Sequence, residues 1–158
     1  MNMHDYIVEQ INTRPELQQL LPDHAAIATE LSGRKIVQFG NITTTRGAAA
    51  LFPSLNGLPR ALSFQLALRK LIGFATAAKQ SQQLDVSLLG EAVSLQLEGF
   101  QTQGLDFAEP ELRNMLDYLV SLNALSQDES NGFKSIAEQI EVITVFEVAS
   151  ALEGTQWH

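Results

Sequence analysis

The chain predicts an all-α fold, a compact bundle of short helices around one long central helix, with room for a minimal two-stranded β ribbon. Three observations carry this. Residues 58–79 (LPRALSFQLALRKLIGFATAAK) place Ala61, Phe64, Leu68, Leu71, Ile72 and Ala75 on one face at the α-helical repeat. Leu58, Leu62 and Leu66 form a second, narrower apolar strip, and a helix with two such strips is expected to pack from two sides at a domain centre. The second observation is repeated helix-start punctuation, a Ser or Thr followed three residues later by Glu, at Thr13–Glu16, Ser126–Glu129 and Thr144–Glu147. The third is that only Arg34 to Phe39 (RKIVQF) reads as a convincing extended segment, stopped by Gly40-Asn41.

In order along the chain, Met3 to Asn12 reads as a first helix with Tyr6, Ile7 and Ile11 inward. Thr13 caps a second with Leu17, Leu20 and Leu21, stopped by Pro22. Asp23 caps a third, His24 to Ser32, with Ile27 and Leu31 inward and Gly33 as its left-handed terminator. A lone strand is not stable. Arg34 to Phe39 therefore either pairs with Ile140 to Ile143 or runs as an extended linker. Thr43 can cap a helix from Thr44 to Phe52, and the central helix follows the turn Pro53 to Gly57. Asp85 can cap Val86 to Glu98, which Gly90 and Gly99 weaken by about 1 kcal/mol each if they lie in the helix interior. Gly99 to Ala108 reads as a loop anchored by Phe100 and Phe107. Pro110 opens a helix with Leu112, Met115, Leu116, Leu119 and Leu122 on one face. A return helix carries Phe133, Ile136 and Ala137, and a last one ends at Leu152 with Gly154 as its stop. Residues 42–51 and 143–152 share Ile, Thr, two Ala and Leu in register, which fits either two equivalent turns or chance similarity of Ala-rich helix starts.

The 158 residues predict a single helical domain, with residues 79–84 as the best place to subdivide it. The absence of cysteine excludes disulfides, thiolate metal sites and cysteine nucleophiles. No apolar run approaches the ~20 residues of a membrane span, and MNMHDYIVEQ lacks the basic flank and apolar block of a signal peptide. The net charge is −8 and unevenly placed. Residues 1–79 hold eight Lys or Arg against five Asp or Glu, a net of +3; residues 80–158 hold two against thirteen, a net of −11. The plain reading is an acidic, soluble surface. The sharper one is an acidic face that docks on something basic, or stacking of unlike halves. Direct nucleic-acid binding is not expected, because phosphate contacts need clustered Lys and Arg.

The chain shows no reaction centre. His4, His24 and His158 lack the spacing of zinc ligands, and neither phosphate-cradling glycine motif is present. The six carboxylates between Asp85 and Glu111 include Glu109 and Glu111 around Pro110. Paired carboxylates serve hydrolysis or metal binding when buried at the right separation, but in a helix's first turn they simply complement its dipole. No catalytic residue, cofactor or metal ligand is therefore assigned. Phe100, Phe107, Tyr118, Phe146 and Trp157 all fall in the acidic half. Aromatics beside acids suit a protein contact with a basic rim; the alternative is that all but Trp157 are core. The candidate partner surface is Phe100, Phe107, Glu109, Glu111, Tyr118 and Trp157.

Three stretches carry a resemblance: RPELQQLL with HAAIATELS; VQFGNITTTRGAAAL; and LDFAEPELRNMLDYLVSLNALSQDES with ITVFEVASALEG. Together they span about half of the chain. This layout resembles a group of small uncharacterised proteins encoded among the structural genes of tailed bacteriophages. The resemblance implies a phage origin, a location in the host cytoplasm or virion, and a role in the particle or its assembly; it brings no catalytic residues. The expected function is a non-enzymatic structural or assembly-associated protein acting through helical protein–protein contacts, with a basic partner or itself. The alternative is an acidic inhibitor or adaptor that occupies a basic, nucleic-acid-binding site on a host or phage protein.

Overall fold

Local chemistry sets each element of the computed structural model, which describes residues 2–153. The element order is α1 (Met3–Thr13), α2 (Pro15–Gln18), α3 (His24–Leu31), β1 (Lys35–Val37), α4 (Thr45–Leu51), α5 (Arg60–Lys79), α6 (Leu84–Thr102), α7 (Pro110–Ser121), α8 (Gln127–Ser135), β2 (Glu138–Ile140) and α9 (Val145–Leu152). The all-α fold with a minimal ribbon is therefore observed. Asn2, Asp23, Thr44, Ser126 and Thr144 each accept from a first-turn N–H, and the last two form complete capping boxes with Glu129 and Glu147. Thr13 does not cap α2. Its hydroxyl donates back to the Glu9 carbonyl inside α1, and Glu16 accepts instead from Arg14 Nε at 2.7 Å. Asp85 lies in the first turn of α6, after the cap position at Gln83.

The described residues divide into two compact units. Unit 2 is continuous, residues 37–138; unit 1 joins residues 2–36 with 139–153. The expected division near 79–84 is not where the chain divides. KQSQQ is instead the turn of the α5/α6 hairpin, inside unit 2. Both passages between the units run through the β1/β2 ribbon. Bonds just beyond its ends extend the pairing: Gly33 N to Glu141 O, Glu141 N to Arg34 O and Gln38 N to Ala137 O, each at 2.8 Å. β2 thus begins two residues before the expected partner segment.

Unit 2 is built on the expected long central helix, α5 of 20 residues, paired with α6 of 19. They can lie close because Gly90 has no side chain: an added Cβ would sit 2.6 Å from Lys79 N and 2.8 Å from Ala78 Cβ. That closeness also decides which face of α5 is buried. Ser63, Phe64, Ala67, Leu71, Ala75 and Ala78 are inside, while Leu62, Leu66 and Ile72 (39% exposed) face out and Leu68 is half-buried. The expectation that Ile72 and the second leucine strip pack inward is corrected: small side chains occupy the close approach and large ones are displaced from it. Five phenylalanines fill the rest. Phe52, Phe64, Phe100, Phe107 and Phe133 form a network of mostly edge-on rings with centroids 5.1–6.2 Å apart. Gly132 makes room for it, since a Cβ there would lie 2.6 Å from Phe52 Cζ. Arg113 on α7 ties the edge of the unit together, donating to the Phe107 and Lys134 carbonyls and pairing with Glu138 at 2.7 Å.

Unit 1 has an aliphatic core of Ile7, Ile11, Leu17, Ile27, Leu31, Ile143, Val148 and Leu152 with small alanines. α9 packs against α1 and α3. Ser32, just past α3, accepts from Ile143 N at 2.9 Å and so fixes the entry to α9.

Candidate protein-contact surfaces

The predicted partner residues scatter. Phe100 and Phe107 are buried, stacked edge-on at 5.4 Å in the unit 2 core, and are withdrawn from any surface. Phe100 points inward because α6 continues through Gly99 to Thr102 instead of breaking there. Asp106 fixes Phe107 by accepting from Gly40 N at 2.7 Å and Ala108 N at 3.0 Å. Glu109 and Glu111 are exposed at the start of α7, where negative charge complements the helix dipole, and Tyr118 is exposed on the same helix. Trp157, like Gly154, lies outside the described residues.

The exposed apolar residues closest together in sequence are in unit 1, and of these the sequence reading names only Phe146. Ile140 (68%), Val142 (73%) and Phe146 (78%) are exposed within seven residues, with Val145 beside them. The cause is one inverted residue. Side chains alternate along an extended segment, and here Glu141 takes the inward position. Its Oε2 is held by Arg34 Nε at 2.7 Å, and the Arg34 guanidinium lies 3.8 Å from the Tyr6 ring centroid. With Glu141 and Ile143 inside, Ile140 and Val142 must face out. Glu141 Oε1 has no hydrogen-bond partner among the described residues, so the arrangement is held at a desolvation cost. Phe146 continues the surface into an open groove of ≈ 330 Å³ formed with His24, Ala149, Ser150, Leu152 and Glu153.

The charge contrast of the chain halves is not carried over to the units, which are both acidic. Unit 1 holds three Lys or Arg against eight Asp or Glu, a net of −5, and unit 2 holds seven against ten, a net of −3. The two cations of the acidic half are both engaged inside unit 2, Arg113 with Glu138 and Lys134 with Asp117. Unit 2 has a small, partly open apolar cavity of ≈ 30 Å³ between Val93, Leu97, Phe100, Leu112 and Phe133, and an open groove of ≈ 320 Å³ between α5 and α6 lined by Ile72, Thr76, Lys79, Ser94, Glu98 and Gln101. Among the described residues no group of three or more His, Asp or Glu is placed to hold a metal ion, and no helix is long and apolar enough to cross a membrane. No family model, curated protein or solved structure matches the chain.

Proposed function

We propose that the protein is a non-enzymatic component of a larger protein assembly, in the host cytoplasm or in a virion, as the resemblance to products of tailed-phage structural genes implies. One observation carries the proposal: the exposed run Ile140, Val142, Val145 and Phe146 beside a groove on a unit of net charge −5. Exposed apolar surface concentrated in this way marks a contact site more often than chance scatter does. The partner chemistry that fits is an amphipathic helix with one apolar anchor for the groove and Lys or Arg flanking it, opposite Glu153 and Asp23.

A photo-crosslinking residue at position 146, in the cell that makes the protein, tests this against the same probe at the exposed Gln18. The expected result is one recurrent adduct from 146 only, whose purified partner binds the wild type and loses binding to Phe146→Asp. That binding should survive from about 0.1 M to 1 M salt, over which the screening length falls from ~10 Å to ~3 Å. Collapse of the complex in salt instead supports the second reading, an acidic inhibitor or adaptor at a basic site, which the acid surplus of unit 1 favours. Equal adducts from both positions, or none, overturn both.

A further inference from the structure

The two long helices of unit 2 carry opposite charge. α5 holds Arg60, Arg69, Lys70 and Lys79 and no acid; α6 holds Asp85, Glu91 and Glu98 and no cation. They are antiparallel neighbours, yet they do not neutralise each other. Lys70 turns away to Glu129, at 2.8 Å. None of the other six charges has an opposite charge within 4 Å among the described residues. They share the outer surface of the hairpin with exposed leucines. Leu84 (73%) and Leu95 (67%) lie with Glu91 on the side of α6 opposite its buried Gly90, Val93 and Leu97. Leu62 and Arg69 lie on the side of α5 opposite Leu71, beside exposed Gly73, where an added Cβ would meet nothing within 4 Å.

We propose that this face binds a second copy of the same chain. The surface is complementary to itself: a two-fold axis running along the hairpin lays α5 of each copy on α6 of the other, so the same contact forms twice. The close approach of Gly90 to Ala78 sets the levels of the two helices. In the dimer, Leu95 of one copy comes level with Gly73 of the other, a large side chain over a hollow. Glu98 comes level with Arg69 and Lys70, and Glu91 within reach of Lys79. Helices of this length present a face of roughly 30 by 20 Å. Two such faces bury about 1,200 Å², the lower end for a specific interface, so a dimer dissociating at roughly micromolar concentration is expected.

Sedimentation of the full chain over a hundredfold concentration range tests it with two variants whose altered residues are all exposed. Arg69→Glu with Lys79→Glu makes α5 acidic; Glu91→Lys with Glu98→Lys makes α6 basic. The wild type should dimerise and each variant alone should stay monomeric with unchanged circular dichroism. An equimolar mixture should dimerise again, because both contacts then pair opposite charges. Leu95→Ala, which alters no charge, should weaken the wild-type dimer roughly tenfold. A monomeric wild type, a variant that still dimerises alone, or a mixture that stays monomeric overturns the proposal.

Discussion

Unit 2 and unit 1 solve the same packing problem with different materials. Unit 2 is one continuous stretch whose core sets five interlocked phenylalanine rings among leucines and alanines, with glycines at 90 and 132 cut to fit the rings and their helices. Unit 1 is assembled from both chain ends around isoleucine, leucine and alanine. The two are therefore unequal in independence. Unit 2 has no long loop to close. Unit 1 joins segments separated by the 102 residues from 37 to 138, and closing a flexible loop of that length costs about 4 kcal/mol before any contact forms. Folded unit 2 removes that cost by bringing residues 37 and 138 together at the ribbon.

Phe133→Ala removes a ring that meets Phe52, Phe64 and Phe107 and should destabilise unit 2 by about 3–5 kcal/mol. Unit 1 should lose protection with it, because its loop is no longer closed. Ile27→Ala, at a fully buried aliphatic site, should cost unit 1 about 2–5 kcal/mol and leave unit 2 protected. Residue-resolved amide exchange reads both. Protection of residues 2–36 in a Phe133→Ala chain whose residues 37–138 exchange freely would show the units to be independent.

A smaller effect sharpens the account of how the core was cut. Alanine in place of a helix-interior glycine ordinarily gains up to about 1 kcal/mol. Gly99→Ala should do so, since its Cβ would meet only Leu105 Cδ2 at 3.8 Å. Gly90→Ala should reverse the sign and cost about 1–3 kcal/mol, because Lys79 N and the Cβ and carbonyl carbon of Ala78 stand in its way. Chemical denaturation of the pair tests it; two variants of the same sign would mean that α5 and α6 separate easily.

The glycines show where sequence reasoning stops. Caps were legible at Asp23, Ser126–Glu129 and Thr144–Glu147, which act within one turn, whereas Thr44 caps in place of the expected Thr43 and Asp85 lies past the cap position of α6. Thr13 failed because the adjacent Arg14 offered Glu16 a better partner. The buried face of α5 was only half legible. Hydropathy favours Ile72 over Ala67, but the distance to α6 decides, and that distance is set at Gly90, eighteen residues from Ile72 in sequence. The likeness of residues 42–51 to 143–152 misaligns by one residue. The caps are Thr44 and Thr144, and counted from them Ala48 and Phe52 match Val148 and Leu152 in burial. Counted by letters, exposed Ile42 would match buried Ile143. The contact surface was the least legible part, because an alternating Ile-Glu-Val-Ile reads as apolar-in until Arg34 is known to hold the glutamate inside.

Each unit also buries one carboxylate against a partly exposed cation, Glu129 with Lys70 and Glu141 with Arg34. Glu129 is the better satisfied. Its Oε1 accepts from Lys70 Nζ at 2.8 Å and from the Ser126 N–H at 2.9 Å. Burial pushes its carboxyl up, but hydrogen bonds from Lys70 and from the Ser126 backbone and hydroxyl, with the Lys70 charge, outweigh this and hold it below the ordinary carboxylate value. A carboxyl lower in the folded than in the unfolded chain adds stability that is complete above the unfolded value, and this is lost as pH falls through the folded one. Unit 2 should therefore lose part of its stability only below about pH 4.5 through this group. Glu129→Gln keeps an acceptor for the Ser126 N–H but cannot titrate. Subtracting its denaturation midpoints from those of the wild type across the acid range should leave a difference that is flat at neutral pH and shrinks toward acid. A difference that stays constant down to the lowest pH would assign the Lys70–Glu129 contact to shape alone, and unit 2 would then owe none of its acid sensitivity to this group.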